Sequence, residues 1–272
     1  MPPVAQNDTF TTSDGTSIAF THRPAPEPGA PRIALIHSLA LDRSVWDGVA
    51  PRLEGEAEVL TYDGRGHGRS DRRAGAYTAQ LFARDLSELF DHVGWQSAAV
   101  AGCSMGGNVA QAFAADFPGR TTALGLIDTT AWYGADAPAK FKERADAAKA
   151  KGMPGLIEFQ LTRWFSDEFR DSHPDVLKRT TDVFVANDVD CYAASCELLG
   201  AVDMRPRLGS FRMPVAIVVG YEDYATPVAM ALQLHEAIPQ STLTILPRAR
   251  HLTPIEYPEQ IASELRGLLS RR

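Results

Sequence analysis

Six short apolar runs recur along the chain: RIALIH (32–37), AEVLTYD (57–63), SAAVAG (97–102), ALGLID (123–128), VAIVVG (215–220) and LTILP (243–247). Runs of this length without polar alternation mark strands buried on both faces, as in parallel sheets covered by helices. Helical patterns lie between several of them. YTAQLFARDLSELFDHVG (77–94) spaces Leu81, Phe82, Leu86, Leu89, Phe90 and Val93 along one face, with Gly94 as its stop. MGGNVAQAFAADFP (105–118) ends at Pro118, and PEQIASELRGLLS closes the chain with Pro258 at its start. TTSDGTSIAF reads as a hairpin about Asp14 and Gly15, and the Pro-rich RPAPEPGAP (23–31) as a turn between strands. The alternation predicts an α/β fold with a mostly parallel sheet flanked by helices.

The alternation fails once. From Ala131 to Arg205 no strand-like run occurs, only helical patterns: PAKFKERADAAKAKG, GLIEFQLTRWFSDEF, PDVLKRTTDVFVAND and CYAASCELLGAV. That is too long for a simple connection. The expected organisation is a core of residues 1–130 and 206–272 carrying an all-helical lid at 131–205.

Charge narrows the partners. A formal net charge of −7 disfavours non-specific contact with nucleic acid or anionic membranes, which needs a basic face. Cys103, Cys191 and Cys196 are odd in number and lack framework spacing, which fits reduced thiols in a cytoplasmic enzyme. MPPVAQNDTF lacks the basic and apolar regions of a leader, and no apolar run approaches the length of a bilayer span. No Cys/His/Asp cluster has metal-ligand spacing, so neither a metal nor another cofactor is expected. YDGRGHGRS (62–70) has the spacing G-x-G-x-G rather than a dinucleotide fingerprint, and reads as a demanding turn.

The candidate chemistry centres on Ser104. Gly102-Cys103-Ser104-Met105-Gly106 is a G-x-S-x-G between a buried strand and a helix. Such a turn strains the serine backbone and lifts Oγ above the sheet, and the flanking glycines avoid collisions. The Met105 N–H then sits at a helix N-terminus, suited to a developing negative charge.

A serine hydroxyl is a weak nucleophile until a base takes its proton. In this context an acid and then a histidine follow the serine in the chain. His251, in PRARHLTPIEYP, lies in the loop after the last strand run. His22, His67, His92, His173 and His235 read as solvated, and His37 precedes the serine. Asp223, in VVGYEDYATP, follows a buried strand and is the favoured acid, with Asp128 and Glu222 as rivals. A second oxyanion donor should come from HSLALDRSVWD (37–47), with the Leu39 N–H chosen and His37 and Ser38 shaping the turn.

These residues resemble the α/β-hydrolase superfamily over nearly the whole chain, and within it the 3-oxoadipate enol-lactonases. HSLALDRSVWD, YDGRGHGRS, GCSMGG, RWF (163–165), DVFVANDVDCYAASCELLGAVDMRP (182–206) and GYEDYATP carry the resemblance. It implies an α/β-hydrolase fold, Ser104 as nucleophile, Asp223 as acid, His251 as base and an oxyanion hole from the Leu39 and Met105 amides. This chain departs from the lactonase pattern in His37-Ser38-Leu39-Ala40, in Cys103 at the elbow and in RARHLTPIE around the histidine.

The implied activity is hydrolysis of a small carboxylic ester or lactone, a 3-oxoadipate enol-lactone or a similar lactone, through an acyl-serine. A short-chain carboxylesterase, a perhydrolase, a carbon–carbon bond hydrolase and a triad-retaining small-molecule receptor share the triad. Arg163 and Trp164 of the lid leave two readings open: solvation and packing, or substrate contact. The lactonase resemblance implies the latter, since that substrate carries a carboxylate for Arg163 to meet; His37 is a further substrate-binding candidate. The expected partner is a small-molecule substrate, with no nucleic acid, no membrane and a possible homo-oligomer.

Overall fold

The first two strands, β1 (Gln6–Thr11) and β2 (Ser17–Arg23), pair antiparallel. In the turn between them Asp14 accepts hydrogen bonds from the hydroxyls of Thr12 and Thr16, each at 2.7 Å. The computed structural model describes residues 5–25, 27 and 29–271; Pro26 and Pro28 of the Pro-rich connection, and the start of the segment read as lacking a leader, lie outside them.

The remaining strands are β3 (Arg32–Ile36), β4 (Glu58–Tyr62), β5 (Ala98–Cys103), β6 (Thr121–Ile127), β7 (Val215–Gly220) and β8 (Ser241–Leu246). They form one sheet in the order β1-β2-β4-β3-β5-β6-β7-β8. From β4 onward every pairing is parallel. Every residue of β5 and β7 is buried, as their uninterrupted apolar sequences require of central strands. The carboxyl ends of β3, β5, β7 and β8 all face one edge of the sheet, and the loops leaving them build the site.

The helices are α1 (Ala50–Leu53), α2 (Ala79–His92), α3 (Met105–Asp116), α4 (Ala137–Lys151), α5 (Ile157–Trp164), α6 (Asp167–Ser172), α7 (Pro174–Val185), α8 (Val189–Ala201), α9 (Arg205–Leu208), α10 (Val228–Ala237), α11 (Thr253–Glu256) and α12 (Pro258–Leu269). Thr78 caps α2 by accepting from the Leu81 amide, as its side-chain oxygen suits it to do. Helix α10 was not legible in the sequence. VAMALQLHEA is apolar on nearly every side, so no polar face reveals its period.

Between β6 and β7 all regular structure is helical, with α4 packed along α8. The two ends of this insertion are tied together. Trp132 and Asp203 form an isolated bridge, and the Met204 amide donates to the Ala131 carbonyl at 2.8 Å. The expected continuous helix GLIEFQLTRWFSDEF is two helices. Phe165 is extended, with φ −133° and ψ 146°, and Ser166 starts α6 by accepting from the Phe169 amide.

Candidate active site

Strand β5 ends in a turn that only this local sequence permits. Ser104 takes φ 55° and ψ −118°, outside the common regions for a residue with a side chain. A Cβ on Gly102 would lie 2.0 Å from the Gly106 carbonyl oxygen, and one on Gly106 would lie 2.3 Å from that of Ile36. The tight approach of α3 to β3 and β5 therefore requires both glycines. It places Ser104 at the N-terminal end of α3.

His251 stands over the serine. Its Nε2 is 2.9 Å from Ser104 Oγ, and its Nδ1 is 2.8 Å from Asp223 Oδ2. All three side chains are buried. Asp223 is held by four donors: the Ala225 and Thr226 amides on Oδ1, and the Thr226 hydroxyl and His251 Nδ1 on Oδ2. A carboxylate fixed in this way orients the imidazole so that Nε2 faces the serine. Thr226 completes this carboxylate cradle and was not singled out in the sequence.

The rival acids lie elsewhere. Asp128 accepts from the Gly220 amide at 3.1 Å and from the Thr253 amide and hydroxyl at 3.0 and 2.7 Å. Burial first, then the neighbouring Asp223, push its carboxyl well above the usual range. It braces the base of the β7 and His251 loops. Glu222 pairs with Arg250 at 3.5 Å.

The Leu39 and Met105 amides take no acceptor among the described residues, which leaves both free to donate. The Leu39 loop is bent sharply, with Ala40 at φ 56°, and Asn187 from the insertion donates to the Ala40 carbonyl at 2.7 Å. His37 braces the same loop. Its Nε2 accepts from the Gly64 amide at 2.8 Å and its Nδ1 faces the Ser38 carbonyl at 2.8 Å. Both ring nitrogens are thereby occupied, so His37 shapes the turn rather than offering a polar group to a ligand.

His67 corrects the expectation of a solvated residue. It is 1% exposed, with its ring 5.0 Å from that of His37. Burial, reinforced by His37, lowers its pKa to about 3. The surrounding YDGRGHGRS segment is the demanding turn expected, with Gly66 and Gly68 at φ 77° and 51°. Its single-letter pattern carries no signal that the histidine points inward.

Trp164 is buried and packs edge-on against Phe165 and Phe184, with ring centroids at 6.3 and 5.3 Å. These contacts place it in the packing of the insertion. Arg163 is half-buried, stacks over Phe159 at 4.9 Å and has no ion-pair partner among the described residues.

Two further residues near the serine escaped sequence reasoning. The Tyr133 hydroxyl donates to Asn108 Oδ1 at 3.2 Å, and the Asn108 backbone N–H donates to the Ser104 carbonyl at 3.3 Å. Burial pushes the Tyr133 phenol up, while the nearby Ser104 hydroxyl pulls it back. Arg250 reaches from beside His251 to the carbonyls of Thr162 and Phe165 at 3.0 and 2.9 Å. The three cysteines are free thiols and buried, and burial pushes the Cys103 thiol well up. Among the described residues no group of His, Cys, Asp and Glu is arranged to hold a metal, and no helix is long and apolar enough to cross a membrane.

Known proteins share this arrangement of elements. The sequence is 29% identical over 271 residues to 3-oxoadipate enol-lactonase 2 of Acinetobacter baylyi, covering 100% of this chain and 99% of that protein. The crystal structure of the enol-lactonase from Burkholderia xenovorans superposes with a TM-score of 0.92 at 31% identity, over 97% of this chain and 100% of that one. A thermophilic esterase from Thermogutta terrifontis, solved with malate bound, gives a TM-score of 0.90 at 27% identity, over 97% of this chain and 98% of that one. The family model for the alpha/beta hydrolase fold matches residues 31–258. With its parallel sheet, its serine turn at the end of β5 and this similarity along nearly its whole length, the chain belongs to the α/β-hydrolase fold family.

Proposed function

We propose that this chain hydrolyses a small carboxylic ester or lactone by acyl transfer through Ser104, with a 3-oxoadipate enol-lactone or a similar lactone as substrate. The observation that carries this reading is the hydrogen-bonded series Ser104 Oγ, His251 Nε2, His251 Nδ1, Asp223 Oδ2. The full-length similarity to enol-lactonases supports the lactone in particular.

In the first step Ser104 Oγ attacks the carbonyl carbon while His251 Nε2 accepts its proton. The Leu39 and Met105 amides donate to the oxyanion that forms. Collapse of the tetrahedral species breaks the acyl–oxygen bond, and His251 returns the proton to the leaving alkoxide or enolate. Water then attacks the acyl-serine by the same route and regenerates Ser104. With a lactone the leaving oxygen stays tethered to the acyl group, so one open-chain acid is released.

The helical insertion acts as a lid over this site. Asn187 on the Ala40 carbonyl ties it to the oxyanion loop, and the Arg250 contacts tie it to the His251 loop. A hydrolysis screen over small lactones and short-chain esters tests the reading, with Ser104→Ala as the blank. Turnover of a lactone by the wild type alone is the expected result. Absence of turnover on every ester and lactone would remove it.

A further inference from the structure

One polar side chain beside the serine takes no part in the steps above. Tyr133 lies in the loop after β6, and its phenol is close enough to Ser104 for that hydroxyl to act on its titration. Its place is fixed from both ends. Before it, Trp132 is bridged to Asp203 across the base of the insertion; after it, Gly134 turns the chain at φ 104°. Phe141 of α4 packs edge-on against the ring, with centroids 5.2 Å apart and planes at 81°.

The hydroxyl proton has a defined direction. Asn108 is fully buried, and its Nδ2 donates to the Thr130 carbonyl at 2.6 Å. Its Oδ1 is thereby the atom facing Tyr133, and since that oxygen only accepts, the phenol donates to it at 3.2 Å. Burial raises the Tyr133 pKa, so the phenol keeps this proton at neutral pH. A neutral donor therefore stands beside the nucleophile with its proton on an uncharged acceptor. Packing against Phe141 needs the ring alone and gives no reason for the hydroxyl.

Strand order decides what this donor can reach. Strand β3 lies on one side of β5, and β6, β7 and β8 lie on the other. Leu39 approaches Ser104 from the β3 side, whereas Tyr133, Asp223 and His251 approach from the β6 side. A substrate with its carbonyl oxygen on the Leu39 and Met105 amides turns its other substituents toward Tyr133 and His251, and its leaving oxygen must face His251 Nε2 to receive a proton. We propose that Tyr133 is a further catalytic residue, whose hydroxyl leaves Asn108 and donates a hydrogen bond to the leaving oxygen as the acyl–oxygen bond breaks. This rests on the acyl-transfer reading above and deepens it. The electron pair of the broken bond passes to the leaving oxygen, the proton that neutralises it comes from His251 Nε2, and Tyr133 keeps its own. Negative charge develops on that oxygen only in the transition state, so the hydrogen bond is stronger there than to the bound substrate and speeds the step. The help is greatest for an alkoxide and smallest for a leaving group that is stable as an anion.

The test compares the wild type with Tyr133→Phe, which keeps the ring against Phe141, on acetates that share the acyl group and differ in the leaving group. The kcat/KM for ethyl acetate should fall by about 10- to 100-fold, that for phenyl acetate by less, and that for p-nitrophenyl acetate by less than about threefold. The same split should separate δ-valerolactone, whose leaving group is an alkoxide, from dihydrocoumarin, a lactone that releases a phenoxide. A loss equal across these substrates, as a merely structural hydroxyl would give, or no loss on any, overturns the role of Tyr133 and keeps the acyl-transfer reading. A wild type that turns over none of them faster than Ser104→Ala removes that reading and the role of Tyr133 with it.

Discussion

Arg250 donates from Nη1 to the carbonyl oxygen of Phe165 at 2.9 Å, joining the residue that precedes His251 to the break between α5 and α6. The same nitrogen reaches the Thr162 carbonyl at 3.0 Å and Asp167 at 3.0 Å. Glu256 closes the junction from below: it accepts from the Arg250 amide at 3.0 Å through one oxygen and from Ser166 through the other. The His251 loop and the insertion are therefore held as one unit.

Arg250→Met should loosen that unit. It leaves the Phe165 and Thr162 carbonyls without their donor, a loss of about 1–3 kcal/mol. Denaturant unfolding should report it, and kcat should fall because His251 loses its fixed seat. Stability and kcat both equal to the wild type would show that the junction does not position the base.

Ser104→Ala should abolish hydrolysis and keep the fold. The serine makes no side-chain cap to its helix, so its hydroxyl can be removed without disturbing α3. Loss of about 10⁴-fold or more in rate is expected for a nucleophile in a triad. Circular dichroism checks the fold, and residual turnover above the contaminant level would reject the mechanism.

Asp223→Asn should lower kcat by about 10⁴-fold, since an amide in place of the carboxylate favours the wrong imidazole tautomer. Asp128→Asn should cost far less activity, because Asp128 contacts Gly220 and Thr253 rather than His251. Steady-state kinetics of the two variants side by side decide the matter. The opposite order would reassign the acid.

His67 should make the fold sensitive to acid. Its pKa is about 3 in the fold against 6.5 for a free histidine, so the unfolded chain takes up the proton first as pH falls below 6.5. The stability is complete above that pH and is lost progressively toward pH 3. Between pH 6.5 and 5 the wild type should lose about 1–2 kcal/mol more than His67→Gln, the slope approaching about 1.36 kcal/mol per unit only below about pH 6. Urea titrations at both pH values measure it, and parallel losses would show that His67 titrates alike in the folded and unfolded chain.

Local chemistry was enough for much of this molecule. The apolar runs announced the strands because a strand covered on both faces has no room for polar residues, and β5 and β7 are buried at every position. The G-x-S-x-G announced the serine turn because a Cβ at Gly102 or Gly106 has nowhere to go. Chain order then pointed to Asp223 and His251, which the fold brings onto one hydrogen-bonded line.

What the one-dimensional pattern left open depends on contacts between distant segments. Asp128 and Asp223 both follow strand runs and look alike in sequence; only the packing of the Thr253 loop onto Asp128 separates them. His67 sits among polar turn residues, and its burial against His37 follows from the fold of two separate loops. Arg144 and Arg163 are 19 positions apart on two helices, each carrying an ordinary pattern of charges. Their meeting over Phe159 is decided by how α4 and α5 lie in the insertion, because side-chain periodicity records which face of a helix is apolar and not which neighbour it will meet.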